Sequence, residues 1–337
     1  MAFKNLQTLK FEEAIQQVDK KQDFVKIGSK PTFKWIVLFD GHGENKVIER
    51  IRNMDWDDIM DSENIYANVY AYIESLGDTL QSGATFSVIQ IYETYIKCGW
   101  VGDSQIRIYK NQKEIFRSLN HDSSNIEEIE RYKKELGFYI DNAKDKLALI
   151  NSNTITKKNI KFFGLQKNRF NSSYALAMSH SLGHNGLTGK FISEKTIYLK
   201  NYKPMIYDDK DEDDVEQGSC NSCNCSEFES AEESASSASD EDKEEEEQDE
   251  NEYKVVIASD GFWDMIIDEE VMKNEEDNND DEILANSQNG ANELMKIAID
   301  RWNQPWTYIN KDTKSVSKYV LIGTGDDISI GVWVGKI

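Results

Sequence analysis

Residues 34–43 read Lys-Trp-Ile-Val-Leu-Phe-Asp-Gly-His-Gly, and the reading of the fold starts there. The apolar run is short and rich in aromatic and β-branched residues, so it reads as a buried strand. Asp40-Gly41-His42-Gly43 ends it in a turn, because glycine lets the backbone fold back tightly. The same device recurs along the chain. Val255-Val256-Ile257-Ala258 runs into Ser259-Asp260-Gly261. Strand-like residues 97–102 and 105–109 flank Gly102-Asp103-Ser104, and a strand over 328–334 follows Gly325-Asp326-Asp327. One Asp-Gly after a strand is an ordinary turn. Four of them suit a small hard cation, whose oxygen ligands must converge where strands stop.

Around these motifs, Gly83-Ala84-Thr85 opens an alternating strand over 86–91. Further strands are expected at 174–178 and 196–199. Helices are expected over 44–53, over 61–76 with Asp61 or Ser62 as N-cap, and over 122–137 with Gly137 at the end. Residues 292–302 carry Leu294, Ile297, Ala298 and Trp302 at helical spacing. Strands dominate the core and helices come in separate groups, which predicts an α+β fold of packed antiparallel sheets with helices outside.

The net charge of −23 belongs largely to one segment. Residues 208–252 hold 21 Asp and Glu against 2 Lys and few apolar groups, so they read as a disordered, dispensable surface insertion in a single 1–337 domain. Ser226, Ser230 and Ser239 there resemble acidophilic kinase sites, and the charge could steer basic partners. The acidity argues against nucleic-acid binding. No apolar run long enough for a membrane span exists, and residues 1–17 lack a signal-peptide core. Cys220, Cys223 and Cys225 could bind a soft metal but have no fourth ligand nearby, and they form no disulfide framework, which fits an intracellular, reducing compartment. A monomer is expected.

Taken together, the motifs resemble the metal-dependent protein phosphatase 2C family, in that family's order. They are Val37-Leu38-Phe39-Asp40-Gly41-His42-Gly43, Ser82-Gly83-Ala84-Thr85, Gly99-Trp100-Val101-Gly102-Asp103-Ser104, and Ala177-Met178-Ser179-His180-Ser181-Leu182-Gly183. Ile257-Ala258-Ser259-Asp260-Gly261-Phe262-Trp263-Asp264 and Asp326-Asp327-Ile328-Ser329 complete the set, with Ser118–Asp122 and Glu130-Arg131 between. The resemblance implies a four-layer α/β/β/α sandwich that dephosphorylates phosphoserine and phosphothreonine in signalling proteins, with two Mg²⁺ or Mn²⁺ ions. It implies that Asp40 bridges the metals, that the Gly41 carbonyl binds one, and that Asp260 and Asp326 complete the other. Asp103 and Asp264 match a third, weaker ion site, and Asp23 keeps an acidic position of the first motif. A metal-bridging hydroxide would attack phosphorus while His42 protonates the leaving oxygen as general acid. Trp263 reads as core. His121 and Asp122 read as a helix start.

The chain departs from the family in two places. Gln22 replaces an acid, and no arginine precedes it to clamp phosphate, leaving Lys20 or Lys21 as point charges. The usual Ser-Arg-x-x-Gly-Asp has become Ser179-His180-Ser181-Leu182-Gly183-His184. Two other readings therefore stand beside the first: a weakened phosphatase-like binding module, and a phosphohydrolase of a small phosphate ester.

Overall fold

The apolar run lies in a strand of 11 residues, Phe33–Gly43, whose alternating side chains set the layering. Phe33, Trp35, Val37 and Phe39 pack against helices, whereas Ile36 and Leu38 pack against a second sheet. The computed structural model describes residues 6–18, 20–122, 125–127, 130, 139–142, 146–150, 153–157, 161–164, 175–176, 178–184, 188, 192–199, 251–266, 280–303, 305–310, 316–320 and 325–337.

In chain order the first strands are β1 Gln7–Gln16, β2 Asp23–Ser29, β3 Phe33–Gly43, β4 Ser82–Ala84, β5 Phe86–Tyr92, β6 Tyr95–Val101, β7 Gln105–Lys110 and β8 Lys113–Arg117. The middle of the chain adds β9 Tyr139–Asn142, β10 Lys146–Ile150, β11 Asn153–Lys157, β12 Lys161–Gly164, β13 Ala175–Leu176, β14 Leu182–Gly183 and β15 Ser193–Tyr198. The last are β16 Glu252–Ala258, β17 Pro305–Asn310, β18 Val316–Val320 and β19 Ile328–Lys336. The helices are α1 Lys46–Arg52, α2 Trp56–Met60, α3 Ile65–Glu74, α4 Asp260–Trp263, α5 Asp280–Ala285 and α6 Ala291–Trp302.

One antiparallel sheet runs β1-β19-β16-β7-β8. The other runs β14-β4-β3-β5-β6-β15, with β2 also on β3. Between them lie Ile36, Leu38, Ile89, Ile106, Val255, Ile257 and Trp333. Ile36, Leu38 and Ile257 are fully buried, each worth about 1.5–3 kcal/mol of apolar transfer. The outer face of the β3 sheet packs on α1, α2 and α3 through Val47, Ile51, Trp56, Val69 and Ile73. That of the β19 sheet packs on α5 and α6 through Leu284, Leu294, Ala298 and Trp302. This is the predicted four-layer sandwich. Two smaller sheets, β11-β10-β17-β18 and β13-β12-β9, go beyond the sequence expectation.

The expected helix over 61–76 begins later, at Ile65, where the Asn64 side chain accepts the Ala67 N–H at 2.9 Å. Asp61 and Ser62 instead close the unforeseen α2, whose start is capped by Asp55. Of the helix expected over 122–137, residues 126, 127 and 130 are helical and most of the rest, Gly137 included, lies outside the described residues. Residues 208–250 of the acidic segment, with Cys220, Cys223 and Cys225, also lie outside them. No helix among the described residues is long and apolar enough to cross a membrane.

Candidate active site

The β2–β3 pairing sets Asp23 opposite Asp40. Both continue the face that holds Val25, Ile27, Ile36 and Leu38, so the layer between the sheets ends in carboxyls. Close approach of these strand ends needs Gly41. Its N–H donates to the Gln22 carbonyl at 3.0 Å, and a Cβ there would lie 2.6 Å from that oxygen. From the other sheet come Asp260, at the start of α4 behind Ser259, and Asp326 just before β19.

Asp103 enters from the β6–β7 turn, where Gly102 has φ +99°. Thr85 ties this turn to Asp40. The Thr85 N–H donates to the Asp40 carbonyl at 2.8 Å, and Thr85 Oγ1 accepts the Asp40 N–H at 3.1 Å. The same hydroxyl lies 2.6 Å from Ser104 Oγ. His121 holds the turn from behind: its N–H donates to the Gly102 carbonyl at 2.9 Å, and its Nδ1 accepts the Gly102 N–H at 3.2 Å. His121 is buried and backed by Ser179 and His180.

The carboxyls repel one another. Burial above all raises Asp40 well above the usual carboxylate range, and Asp260, Asp23 and Asp103 push it further. Burial likewise raises Asp103, helped by Asp260, Asp122 and Asp264. Asp23 is pushed up to about 8 by burial; Ser259 and Ser329 hold it down, while Asp260 and Asp327 raise it. Asp326 is raised by burial, against the Asp327 N–H that it accepts at 2.9 Å and the nearby Lys20 ammonium. Asp260 is the common neighbour of Asp23, Asp40 and Asp103.

Two buried oxygens of this group, Asp23 Oδ2 and Asp103 Oδ1, have no hydrogen-bond partner. An oxygen-only donor set with unmet demand for positive charge fits a hard divalent cation. Among the described residues, no three His, Cys, Asp or Glu side chains are drawn together closely enough to ligate one ion.

His42 shares the Asp40 face of β3, two residues on. Its Nδ1 lies 2.7 Å from His184 Nε2, and His184 Nδ1 lies 2.9 Å from the Leu80 carbonyl. Its Nε2 is buried without a partner. Burial, with help from His184, lowers the imidazole to about 3, so the resting ring is neutral.

The structure separates the two lysines that the sequence grouped. Lys20 is close enough to Asp326 to lower it, whereas the Lys21 carbonyl accepts from Arg52, whose guanidinium also donates to the Asp23 carbonyl at 3.0 Å. Trp263 packs against the core, donating Nε1–H to the Ala258 carbonyl at 2.9 Å under Arg107. Three roles escaped the sequence reading. His121 braces the Asp103 turn rather than only starting a helix, and Asp122 is a close neighbour of Asp103. Asp327 accepts the Val18 and Gln22 N–H groups, each at 2.5 Å, and so anchors the loop that carries Lys20. The odd Ser-His-x-x-Gly-His pattern was the one signal that His184 differed.

The family model for protein phosphatase 2C matches residues 37–304. No curated protein matches the chain. Among solved structures, a serine-threonine phosphatase 2C from Toxoplasma gondii superposes with TM-score 0.50 at 10% identity, covering 98% of each chain. A C. elegans sex determining protein gives TM-score 0.45 at 12% identity; the match covers 98% of this chain and spans 64% of the length of that one. The S. agalactiae serine/threonine phosphatase gives 0.45 at 15% identity, covering 96% of this chain and 99% of that one.

Proposed function

Because the chain belongs to the protein phosphatase 2C family, we propose that it removes phosphate from phosphoserine and phosphothreonine in proteins with the help of Mg²⁺ or Mn²⁺. The observation that carries this reading is the convergence of Asp23, Asp40 and Asp103 on Asp260, with two carboxyl oxygens buried and unpartnered. Asp40, the Gly41 carbonyl, Asp260 and Asp326 would hold a pair of cations, and Asp103 with Asp264 a third, weaker one. Asp23, opposite Asp40 in the β2–β3 pairing, would add a further carboxyl oxygen beside them. When bound, such cations activate water as a nucleophile and neutralise phosphoryl charge.

The chain's own side chains do the rest. Lys20, exposed beside Asp326, attracts the phosphate as a point charge; Lys21 adds charge from the same loop. Asp327 fixes that loop through two backbone N–H groups, so Lys20 stays at the rim of the carboxyl cluster. His42 delivers a proton from Nε2 to the departing serine or threonine oxygen, a poor leaving group without it. Because burial keeps the ring neutral at rest, the proton that Nε2 hands on is the one the attacking water gives up as it adds to phosphorus.

The test is phosphate release from a phosphothreonine peptide with Mn²⁺ against EDTA. Metal-dependent release is the expected result. A protein inert with Mn²⁺ and Mg²⁺ on several phosphopeptides would overturn the reading.

A further inference from the structure

We propose that His184 is a positioning residue for His42, holding the ring in the tautomer that leaves Nε2 free to serve the substrate. The inference deepens the phosphatase reading and rests on it for the identity of the reaction.

The hydrogen-bond directions follow from chemistry. The Leu80 carbonyl can only accept, so His184 Nδ1, 2.9 Å away, carries a hydrogen. A neutral His184 then presents a lone pair at Nε2, which accepts Nδ1–H from His42 across 2.7 Å. The ring planes lie within 8° of parallel with centroids 4.7 Å apart, an arrangement compatible with a bond in the plane of both rings. His42 therefore keeps its own proton on Nδ1. Nε2, buried and unpartnered, is the atom left to move a proton on the Asp40 face.

The backbone is shaped around this pair. Gly83 pairs with His42 on one side and Gly183 on the other. A Cβ at Gly83 would overlap both rings, lying 2.6 Å from His42 Cε1 and 2.5 Å from His184 Nε2. Gly183 and His184 both turn left-handed, at φ +80° and +54°. A histidine in that region costs energy, which persists where surrounding contacts hold it. Here the contacts are the Leu80 carbonyl and His42.

Two variants separate position from fold. His184→Asn suits the left-handed backbone and can still donate to Leu80 through Nδ2, but it offers His42 no acceptor. His184→Gln places Oε1 near the former Nε2 and restores the acceptor. On a phosphothreonine peptide with Mn²⁺, His184→Asn should lower kcat by roughly 10²-fold, the low end of what a general acid contributes, with KM little changed. On an aryl phosphate, whose leaving group needs no proton, the loss should be several-fold smaller. His184→Gln should recover most of the peptide activity.

A second readout does not depend on turnover. The chain has four histidines, so imidazole ¹⁵N spectra of the metal-free protein are simple to assign. His42 should appear as the Nδ1–H tautomer in the wild type and lose that preference in His184→Asn. An Nε2–H His42 in the wild type, equal losses on both substrates, or no recovery with His184→Gln would overturn the proposal. The two readings fail separately. A wild type without phosphatase activity defeats the function while leaving the tautomer measurement standing, and a wrong tautomer in an active wild type defeats the positioning role alone.

Discussion

Gly83→Ala is the substitution on which the site's geometry makes its sharpest demand. The added methyl would lie 2.6 Å from His42 Cε1 and 2.5 Å from His184 Nε2, and would also meet His184 Cδ2. Carbon contacts settle at about 3.5–4.0 Å, so the rings must withdraw by about 1 Å between them and the new methyl. His42 and His184 lie on opposite strand neighbours of Gly83, so withdrawal stretches their 2.7 Å contact. Overpacking costs about 1–3 kcal/mol. Replacing glycine returns about 0.4–1 kcal/mol through the unfolded chain. The expected net loss is on the order of 1–2 kcal/mol. Catalysis should suffer more, because a 1 Å misplacement of a reacting group costs about 10²-fold. Thermal melts and kcat on a phosphothreonine peptide with Mn²⁺ give both numbers from one preparation. A Gly83→Ala protein with wild-type kcat would refute the reasoning, since both rings could then not stand where they do and still matter.

Asp260→Asn removes the neighbour shared by Asp23, Asp40 and Asp103, so metal-dependent turnover should vanish while the melting temperature in EDTA rises; a fall in that temperature would contradict the repulsion argument. Lys254 is buried, lowered to about 7, and donates to the Asn286 carbonyl at 2.7 Å. Lys254→Met should stabilise the protein by about 1–3 kcal/mol, as apolar replacements of buried charges often do, and a lower melting temperature at neutral pH would count against it. In the metal-free protein Asp23, Asp40, Asp103 and Asp326 have raised pKa values and His42 and His184 lowered ones. The imidazole effects end near the ordinary histidine value of about 6.5; between there and about 8, where Asp23 titrates, the native carboxyls hold protons that the unfolded chain has lost, and stability falls as pH rises. Melts of Lys254→Met in EDTA should therefore drop across that window, and Mn²⁺ should raise the melting temperature more at its upper end; a rise with pH in EDTA would overturn the assignment.

The sandwich was legible because its central strands carry uninterrupted apolar runs: 35–39 and 255–258 both proved buried strands. β1 and β2 were not foreseen. In Gln7–Gln16 and Asp23–Ser29 most positions are exposed or only partly buried, so polar side chains interrupt the pattern. α2 was hidden by its length of five residues, too short for a periodicity to declare itself. At the site, Asp40, Asp103, Asp260 and Asp326 were visible through the glycines beside them. Asp327 and His121 were not, because their work is done by hydrogen bonds to backbone groups that no side-chain pattern records. The pairing of His42 with His184 spans 142 positions and depends on β3, β4 and β14 lying side by side.

That pairing also gives the chain's departures from its family a common physical sense. Where the family carries arginine and aspartate, this chain carries His180 and His184. The exchange removes one charge of each sign, so the net charge of the motif need not change. Both sites are buried, and an ion there would lose hydration unless it were paired. At 184 an aspartate could accept from His42, but its other oxygen would face the Leu80 carbonyl, acceptor against acceptor. A histidine meets that carbonyl with a donor and meets His42 with an acceptor, two demands that no carboxylate can satisfy together. At 180, Nδ1 lies 2.9 Å from Ser179 Oγ, and the ring meets His121 edge to face at 5.1 Å, within the brace of the Asp103 turn. An arginine would have to lay a longer side chain and a fixed charge against that brace. Both histidines thus meet their neighbours through hydrogen bonds, leaving the negative field of the cluster to be balanced by the cations it is proposed to bind.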